Sequence, residues 1–111
     1  MAQQADVLKG TLDLMILKAL SWGPDHGFGI AKWIRTTTGG ALEIDDGALY
    51  PALHRLVARE WIGAEWGVSE NNRKAKYYQL TALGRKQLRS EDTVWRLYAR
   101  AVFQVLEAKS V

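Results

Sequence analysis

Apolar side chains recur at helical spacing through residues 7–21, and this pattern predicts a first helix. The stripe consists of Leu8, Leu12, Met15, Ile16, Ala19 and Leu20. Leu14 and Leu17 lie off the stripe, so the predicted helix has more than one apolar face. Because a small domain rarely covers two faces of one helix by itself, we expect a contact beyond the chain's own core. Gly23 and Pro24 end the helix.

A second helix is predicted over about residues 26–37, with Asp25 as its N-cap. Its apolar positions are Phe28, Ile30, Ala31, Trp33 and Ile34. Gly39 and Gly40 then interrupt the pattern, because two consecutive glycines favour a loop over a continued helix.

A third helix is predicted to begin after Asp45 or Asp46, either of which can cap it, and to end at about residue 59. Pro51 falls near its first turn, where a missing backbone N–H costs least. The buried stripe of this helix is Leu49, Leu53, Leu56 and Val57.

Residues 61–68 alternate between apolar and other side chains, which predicts a β-strand. Its apolar face is formed by Ile62, Ala64, Trp66 and Val68. Asn71 and Asn72 tolerate left-handed backbone conformations, so a hairpin turn is predicted before a second strand over residues 76–80.

The last element is a long helix, predicted from the cap residue Thr81 to about residue 109. The order helix, helix, helix, hairpin, helix is that of a winged helix-turn-helix. We therefore predict a mainly α fold with a small β-hairpin. We expect a winged helix-turn-helix DNA-binding domain over residues 7–81 and a C-terminal dimerisation helix over residues 82–109.

The composition narrows the class of protein. A chain of 111 residues is expected to form one domain. No apolar run approaches the roughly 20 residues needed to span a bilayer, and residues 1–6 are polar. We therefore expect a cytoplasmic protein without a membrane partner. The lack of cysteine excludes disulfides, cysteine-based metal sites and thiol nucleophiles.

Nothing in the sequence indicates an enzyme. The sequence has two histidines, His26 and His54. No carboxylates occur at a spacing that is typical of a metal site. Asp45 and Asp46 are adjacent acids before a helix, and such acids are far more often caps than a catalytic pair. We therefore expect no catalytic residue, no metal site and no cofactor.

The net charge of +3 is distributed unevenly along the chain. Residues 71–90 contain no acid and six cations, namely Arg73, Lys74, Lys76, Arg85, Lys86 and Arg89. Such a block on a near-neutral protein indicates a surface that binds a polyanion. The alternative is a solvated helix face beside a charged loop.

The basic tip of the hairpin is the predicted wing. Its Arg73, Lys74 and Lys76 can reach DNA phosphates or enter the minor groove. The alternative is that these charges only protect the hairpin from edge-to-edge association.

The third helix is the predicted recognition helix, with its N-terminal half facing a major groove. Its exposed polar side chains are Tyr50, His54, Arg55 and Arg59. Arginine and histidine can donate to guanine edges or phosphates, and tyrosine can donate to phosphate. The alternative is that Tyr50 packs on the domain and His54 is a solvated helix residue.

The last helix carries a heptad pattern. Leu88, Trp95 and Val102 form one register, and Tyr98 and Val105 belong to the other. A helix of about 28 residues spans about 42 Å, which is longer than so small a domain covers. We therefore predict a homodimer whose symmetry matches a palindromic operator. The alternative is that the helix folds back onto its own domain.

Two residues have a special place in that predicted interface. Leu12 represents the contribution of the two-faced first helix. Trp95 either packs the interface or forms half of a paired aromatic platform that stacks a flat ligand.

Four segments, in order, resemble the PadR family of bacterial transcriptional regulators. They are Leu8-Lys-Gly-Thr-Leu-Asp-Leu14, His26-Gly-Phe-Gly-Ile30, Gly47-Ala-Leu-Tyr-Pro-Ala-Leu-His-Arg-Leu56, and Lys76-Tyr-Tyr-Gln-Leu-Thr81 followed by Gly84. The similarity extends over about residues 7–105. The single long C-terminal helix is similar to the small subclass of that family.

The resemblance implies a dimeric winged-helix repressor that binds double-stranded DNA. It implies further that the dimer forms through the C-terminal helix, with help from the first helix. It also implies that an aromatic compound can bind between the subunits, in the region of Trp95, and release DNA. By similarity, the recognition helix, the wing and the first helix place seven residues at DNA: Tyr50, Pro51, His54, Arg55, Lys76, Tyr78 and Lys9. Tyr77 falls on the same wing motif.

Two departures from the family pattern leave the operator sequence open. Phe28 stands where the family commonly has tyrosine, and Asn71-Asn72 replaces the more usual Asn-Gly at the wing tip. Two other functions also stay open at this point. One is a winged-helix module that binds another protein, and the other is a ligand sensor centred on its aromatic pocket.

Overall fold

The computed structural model describes residues 10–110, which form four helices and three short strands. In chain order they are α1 (Thr11–Leu20), β1 (Asp25–His26), α2 (Gly27–Thr37), α3 (Asp46–Ala58), β2 (Ile62–Val68), β3 (Lys74–Leu80) and α4 (Ala82–Leu106). The strands form one antiparallel sheet in the order β1-β3-β2. The predicted class, mainly α with a small β-wing and a long C-terminal helix, is confirmed.

α1 is the central helix and packs against α2, α3, α4 and β3. Within the described residues it begins at Thr11, because Gly10 before it has a left-handed φ of 88°. Residues 7–9 of the predicted helix lie outside the described residues. Leu12, only 7% exposed, and the off-stripe Leu17 are both in the core. The chain's own core therefore covers Leu12 and Leu17, whereas the off-stripe Leu14 is only half-buried.

The start of α2 differs from the prediction. Asp25 is not its N-cap, because the backbone of Asp25 pairs with Tyr78 in a two-residue strand that the sequence did not reveal. The cap is His26, whose Nδ1 accepts a hydrogen bond of 2.9 Å from the N–H of Gly29. Asp25 instead accepts from the N–H of His26, at 2.8 Å. The helix accordingly begins one residue later than predicted.

α3 is capped by Asp45, one of the two candidates, whose carboxylate accepts from the N–H of Ala48 at 2.8 Å. The helix ends at Ala58, one residue before the predicted end. Pro51 lies in its second turn instead of the first. The side chains buried by α3 are Leu49, Ala52, Leu53 and Leu56, so three of the four predicted core positions are confirmed. Val57 is the exception and is exposed.

The wing is the hairpin formed by β2 and β3, paired from Ile62 and Leu80 at its base to Val68 and Lys74 at its end. The connecting turn is closed by a 2.8 Å hydrogen bond from the N–H of Ser69 to the carbonyl of Arg73. Asn72 adopts a left-handed φ of 57° within it, as asparagine readily does. β3 begins two residues earlier than predicted, because the ladder continues to Lys74.

The inward face of β2 runs out of the core as the hairpin extends from the domain. Ile62 is buried and Ala64 is half-buried, whereas Trp66 and Val68 are exposed. The alternation of the sequence correctly assigns all four to one face. It does not reveal that only the lower half of that face has a core to pack against.

α4 is joined to the rest of the domain through its N-cap, Thr81. The Thr81 hydroxyl accepts from the N–H of Gly84 at 2.9 Å and donates to the carbonyl of Glu60 at 2.7 Å. The predicted cap is confirmed, and the helix then runs to Leu106, three residues short of the prediction. No other element among residues 10–110 supports the last turn, since residues 101–110 are all exposed. Within residues 10–110, no helix is long and apolar enough to cross a membrane.

Candidate nucleic-acid interface

A cleft of about 810 Å³ separates the wing from the start of α2 and from one side of α3. Its lining residues from the helices and β1 are His26, Gly27, Phe28, Lys32, Tyr50 and His54. Those from the wing are Trp66, Ser69, Glu70, Asn71, Arg73, Lys74, Ala75, Lys76 and Tyr78. The cleft thus brings the two predicted DNA-binding elements, α3 and the wing, to the same surface.

The cleft is positively charged. Lys32 stands on its helical wall, and Arg73, Lys74 and Lys76 stand on the wing. Glu70 is the one acidic side chain among the described residues that line it. A concave surface lined by charges of one sign concentrates ions of the opposite sign. The arrangement therefore suits a phosphodiester backbone lying between α3 and the wing.

The six cations of the basic block fall into two groups. Arg73, Lys74 and Lys76 line the cleft, whereas the other three belong to the first part of α4 and do not. These three are Arg85, Lys86 and Arg89. Lys32, which does line the cleft, is absent from the block because it belongs to α2. Nothing in its sequence context marks it as a site residue.

Trp66 is a cleft residue that the alternating pattern places on the apolar face of the strand. Its side chain is 63% exposed, and the Nζ of Lys74 lies 5.0 Å from the centre of its ring. Such a cation–π contact holds the ammonium group over the indole. The sequence contains one signal for this role. The tryptophan lies near the end of an alternating strand, at a position that the core does not reach.

A second aromatic group lies where β1 meets α2. The ring of His26 stacks on Phe28 at 6.3 Å and meets Tyr77 edge-on at 5.4 Å. His26 is held in this position by its role as the cap of α2. The His26 and Phe28 rings line the cleft from the start of α2, and Tyr77 of β3 joins them to the base of the wing.

Tyr50 and Tyr78 connect the cleft to the core. Tyr50 is partly exposed and packs so closely on α2 that a Cβ at Gly27 would lie 3.0 Å from its hydroxyl oxygen. Tyr78 is buried, with 6% of its side chain exposed. Burial raises the pKa of the Tyr78 phenol above its usual value, and the nearby Tyr50 phenol raises it further.

Arg55 lies on a different flank of α3 from the cleft. Its Nη2 donates a 2.9 Å hydrogen bond to Oδ1 of Asp13 on α1. Nη1 of Arg59 lies 3.7 Å from the other oxygen of the same carboxylate. Both arginines of the predicted recognition surface are thus paired with one acid, Asp13, which was not among the predicted site residues.

The other predicted DNA contacts differ in their accessibility. Pro51 and His54 are exposed on α3. Tyr78 is part of the core, where it packs near Tyr50, and its direct contact with DNA stays a prediction. Lys9 lies outside the described residues.

The predicted dimerisation residues also divide. Leu12 and Leu88 pack on the chain's own core. Trp95 is half-buried, and its ring lies 5.9 Å from that of Tyr98, which is exposed. The apolar side chains that α4 leaves exposed beyond its first turn are Val94, Leu97, Tyr98, Val102, Phe103, Val105 and Leu106. Val94, Tyr98, Val102 and Val105 share one face of α4, and this apolar face has no counterpart within the described part of the chain.

The described residues contain no group of three or more His, Asp or Glu side chains that could hold a metal ion. The carboxylates take part in caps and ion pairs instead, as Asp45 and Asp13 do.

Comparisons with known proteins agree with this architecture. The profile of the Transcriptional regulator PadR-like family matches residues 16–90, which is 75 of the 111 residues. The chain is 30% identical over 92 residues to an uncharacterized protein of Lysinibacillus sphaericus. That match covers 83% of this chain and 84% of the relative.

Solved structures extend the similarity to nearly the whole chain. A transcriptional regulator from Clostridium thermocellum is 30% identical and superposes with a TM-score of 0.81, covering 90% of this chain and 97% of that one. A PadR family regulator from Eggerthella lenta is 27% identical with a TM-score of 0.77, covering 91% and 86%. The chain therefore belongs to the PadR-like family of transcriptional regulators, which is not a family of enzymes.

Proposed function

We propose that the protein is a homodimeric repressor that binds a palindromic operator in double-stranded DNA, in the cytoplasm. The observation that carries the proposal is the basic cleft between α3 and the wing. In a winged helix-turn-helix, the recognition helix enters the major groove, and a basic wing can reach the adjacent minor groove. The phosphate backbone between the grooves then lies along the cleft.

The proposed DNA contacts form three groups. His54, Tyr50 and Pro51 on α3 face the major groove and its edge. Arg73, Lys74 and Lys76 neutralise phosphates from the wing. Lys9, Arg55 and Tyr78 are further proposed contacts, carried over from the family motifs.

Dimerisation through α4 is the second part of the proposal. α4 exposes an apolar surface formed by Val102, Val105 and Tyr98. Its exposure to water is unfavourable in free energy, and a second copy of the helix would bury it. A two-fold axis at α4 also presents two α3 helices to two operator half-sites. We propose Trp95 as a supporting residue of the interface, with Leu12 and Leu88 supporting it from the core beneath α4.

An aromatic effector is the third part of the proposal. Trp95 and Tyr98 are neighbouring rings on the face proposed for dimerisation, with centroids 5.9 Å apart. Two such pairs across a two-fold axis would offer a flat ligand an aromatic surface on each side. Binding there would change how the two α3 helices are spaced and would release the operator.

The test of operator binding is fluorescence anisotropy with two labelled duplexes, the upstream region of the gene and a shuffled control. Each is measured at about 50 and about 200 mM salt. If about six phosphates are contacted, affinity for both duplexes falls by roughly three decades across this range. A preference for the upstream region that persists at high salt supports the proposal. Equal binding to both duplexes contradicts a specific regulator.

Sedimentation at micromolar concentration separates the proposal from a protein-interaction module. A homodimer has twice the 12.5 kDa mass of the chain. A monomer that binds no duplex would instead favour a different protein as the partner of α4.

A panel of flat aromatic compounds, followed by tryptophan fluorescence, tests the effector. The same saturable change in Trp95→Ala as in the unchanged protein would place that site elsewhere.

A further inference from the structure

One carboxylate of α1 is paired with both arginines of α3. Oδ1 of Asp13 accepts a 2.9 Å hydrogen bond from Nη2 of Arg55, and Oδ2 lies 3.7 Å from Nη1 of Arg59. These contacts connect the central helix of the domain to the recognition helix. They join residues 42 and 46 positions apart in the chain.

The three side chains differ in their contact with solvent. The Asp13 side chain is 16% exposed, whereas those of Arg55 and Arg59 are about half exposed. The acid is therefore fixed by the packing of α1, and the guanidinium groups lie at the surface beside it. Arg59 is also held by Trp61, whose ring centre lies 5.1 Å from its guanidinium carbon. Screening by salt acts less on such a shielded pair than on two fully exposed charges.

We propose that Asp13 is a specificity-determining residue, because it withholds Arg55 from non-specific contacts with phosphate. This inference rests on the DNA-binding function proposed above. A guanidinium that is free in solution pairs with any phosphate and strengthens binding to every sequence alike. When a carboxylate neutralises it, that gain is removed. The remaining N–H donors of Arg55 stay oriented for a partner in the correct position.

The second consequence concerns orientation. Arginine has several accessible rotamers, and a fixed carboxylate selects one of them through the Arg55 hydrogen bond. A preorganised arginine distinguishes a correctly placed acceptor from others, whereas a mobile one adapts to each. Asp13 thus acts through Arg55 and need not touch DNA itself.

The test substitutes Asp13→Asn, which keeps the size of the side chain and removes its charge. The matched control is Asp92→Asn, which raises the net charge equally and breaks the Asp92–Arg96 pair on α4. Affinities for the upstream and the shuffled duplex are measured at several salt concentrations. Thermal unfolding of each variant shows whether the fold is kept.

For Asp13→Asn we expect stronger binding to the shuffled duplex and a salt dependence steeper by about 0.9, which corresponds to one added phosphate contact. The preference for the upstream region falls by roughly tenfold, the size of one good base contact. Asp92→Asn has neither effect. If Asp13→Asn behaves like Asp92→Asn, the proposed role of Asp13 is wrong.

Arg55→Gln provides a test that does not depend on the stability of the Asp13 variant. Because Arg55 is already neutralised, this change is expected to leave the salt dependence for the shuffled duplex unaltered. It lowers only the preference for the upstream region. The loss of upstream preference caused by Asp13→Asn should also disappear in the Arg55→Gln background. A shallower salt dependence in Arg55→Gln alone would overturn the proposal.

The two proposals fail in different ways. If the unchanged protein shows no preference for the upstream duplex, the proposed specific regulator is wrong. The salt dependence with which the variants bind the shuffled duplex still decides whether Asp13 withholds Arg55. Unaltered slopes in the Asp13 variant refute its role even if the upstream preference of the unchanged protein is strong. If neither the unchanged protein nor Asp13→Asn binds any duplex, both proposals are wrong.

Discussion

Gly84, in the first turn of α4, lies directly against the backbone carbonyl of Trp61. A Cβ on Gly84 would be 1.9 Å from that oxygen and 2.9 Å from Cδ1 of Leu80. Thr81 holds the same joint by donating to the carbonyl of Glu60 and accepting from the N–H of Gly84. This joint sets the direction in which α4 leaves the DNA-binding elements, and with it the proposed spacing of two α3 helices in a dimer.

Gly84→Ala is expected to destabilise the protein although alanine favours helices. The helix gains about 1 kcal/mol in propensity, but the Cβ cannot fit without moving backbone, and overpacking of this kind typically costs about 1–3 kcal/mol or more. The free energy of unfolding, measured by urea titration, should therefore fall by about 1 kcal/mol or more overall. Ser90→Ala, exposed on the same helix, is the control and should change it little. Equal stability of the two variants would contradict the close contact at Gly84.

Replacing Arg73, Lys74 and Lys76 together by alanine is expected to weaken binding to all duplexes. The slope of log affinity against log salt is negative, and each lost phosphate contact makes it shallower by about 0.9. The control replaces the same number of charges on α4, by alanine at Arg85, Lys86 and Arg89. Anisotropy measured over a salt series compares the two. An equal loss of affinity in both triple variants would show that position on the wing does not matter.

Trp66→Ala is expected to weaken duplex binding with little change in stability, because the side chain is mostly exposed. The substitution removes the ring beneath the Lys74 ammonium and widens the cleft. Loss of a cation–π contact corresponds to about 0.5–1 kcal/mol, or a two- to fivefold change. Trp66→Phe keeps a ring and should retain part of the affinity. Unchanged binding in the alanine variant would remove Trp66 from the interface.

Val102→Glu is expected to convert the proposed dimer to a monomer, because it places a charge on the apolar face of α4. Gln104→Glu adds the same carboxylate on the opposite side of that helix turn and should leave the dimer intact. Sedimentation over a range of concentrations measures the effect. A dimer that survives Val102→Glu but not Gln104→Glu would place the interface on the other side of the helix.

Stability above about pH 10 is expected to depend on Tyr78. Its pKa is raised in the folded protein, so the unfolded chain releases the phenolic proton first. The contribution of Tyr78 to stability is present below the ordinary pKa of about 10 and is lost as pH rises toward the folded value. Tyr78→Phe should therefore lose less stability between about pH 8 and 11 than the unchanged protein. Urea titrations at a series of pH values compare them, and identical pH dependence would contradict the buried phenol.

Local interactions explain which parts of the fold could be predicted. Asp45 and Thr81 cap helices through hydrogen bonds to residues three positions away. The period of apolar side chains in α3 and β2 depends only on the geometry of each element. These features require no knowledge of the rest of the chain. The start of α2 could not be predicted in the same way, because Asp25 pairs with Tyr78, far along the sequence.

The candidate site shows the same division. The charges of the wing and the exposed Tyr50 and His54 of the recognition helix are evident from the sequence, and their meeting at one cleft follows from the predicted fold. The division of the six cations of the basic block into two groups could not be predicted, because it depends on the direction in which α4 leaves the hairpin. The place of Trp66 in the cleft could not be predicted for a related reason, since the hairpin extends beyond the core that its apolar face would otherwise contact.

The sequence by itself therefore determined the helices, the hairpin, two caps and the family, through periodicity, local hydrogen bonding and short motifs. Only the tertiary structure decided that Asp13 holds Arg55, that Leu12 and Tyr78 are buried, and that Lys32 faces the wing. The physical reason is distance along the chain. Each of these contacts joins elements that are remote in sequence, and packing alone brings them together.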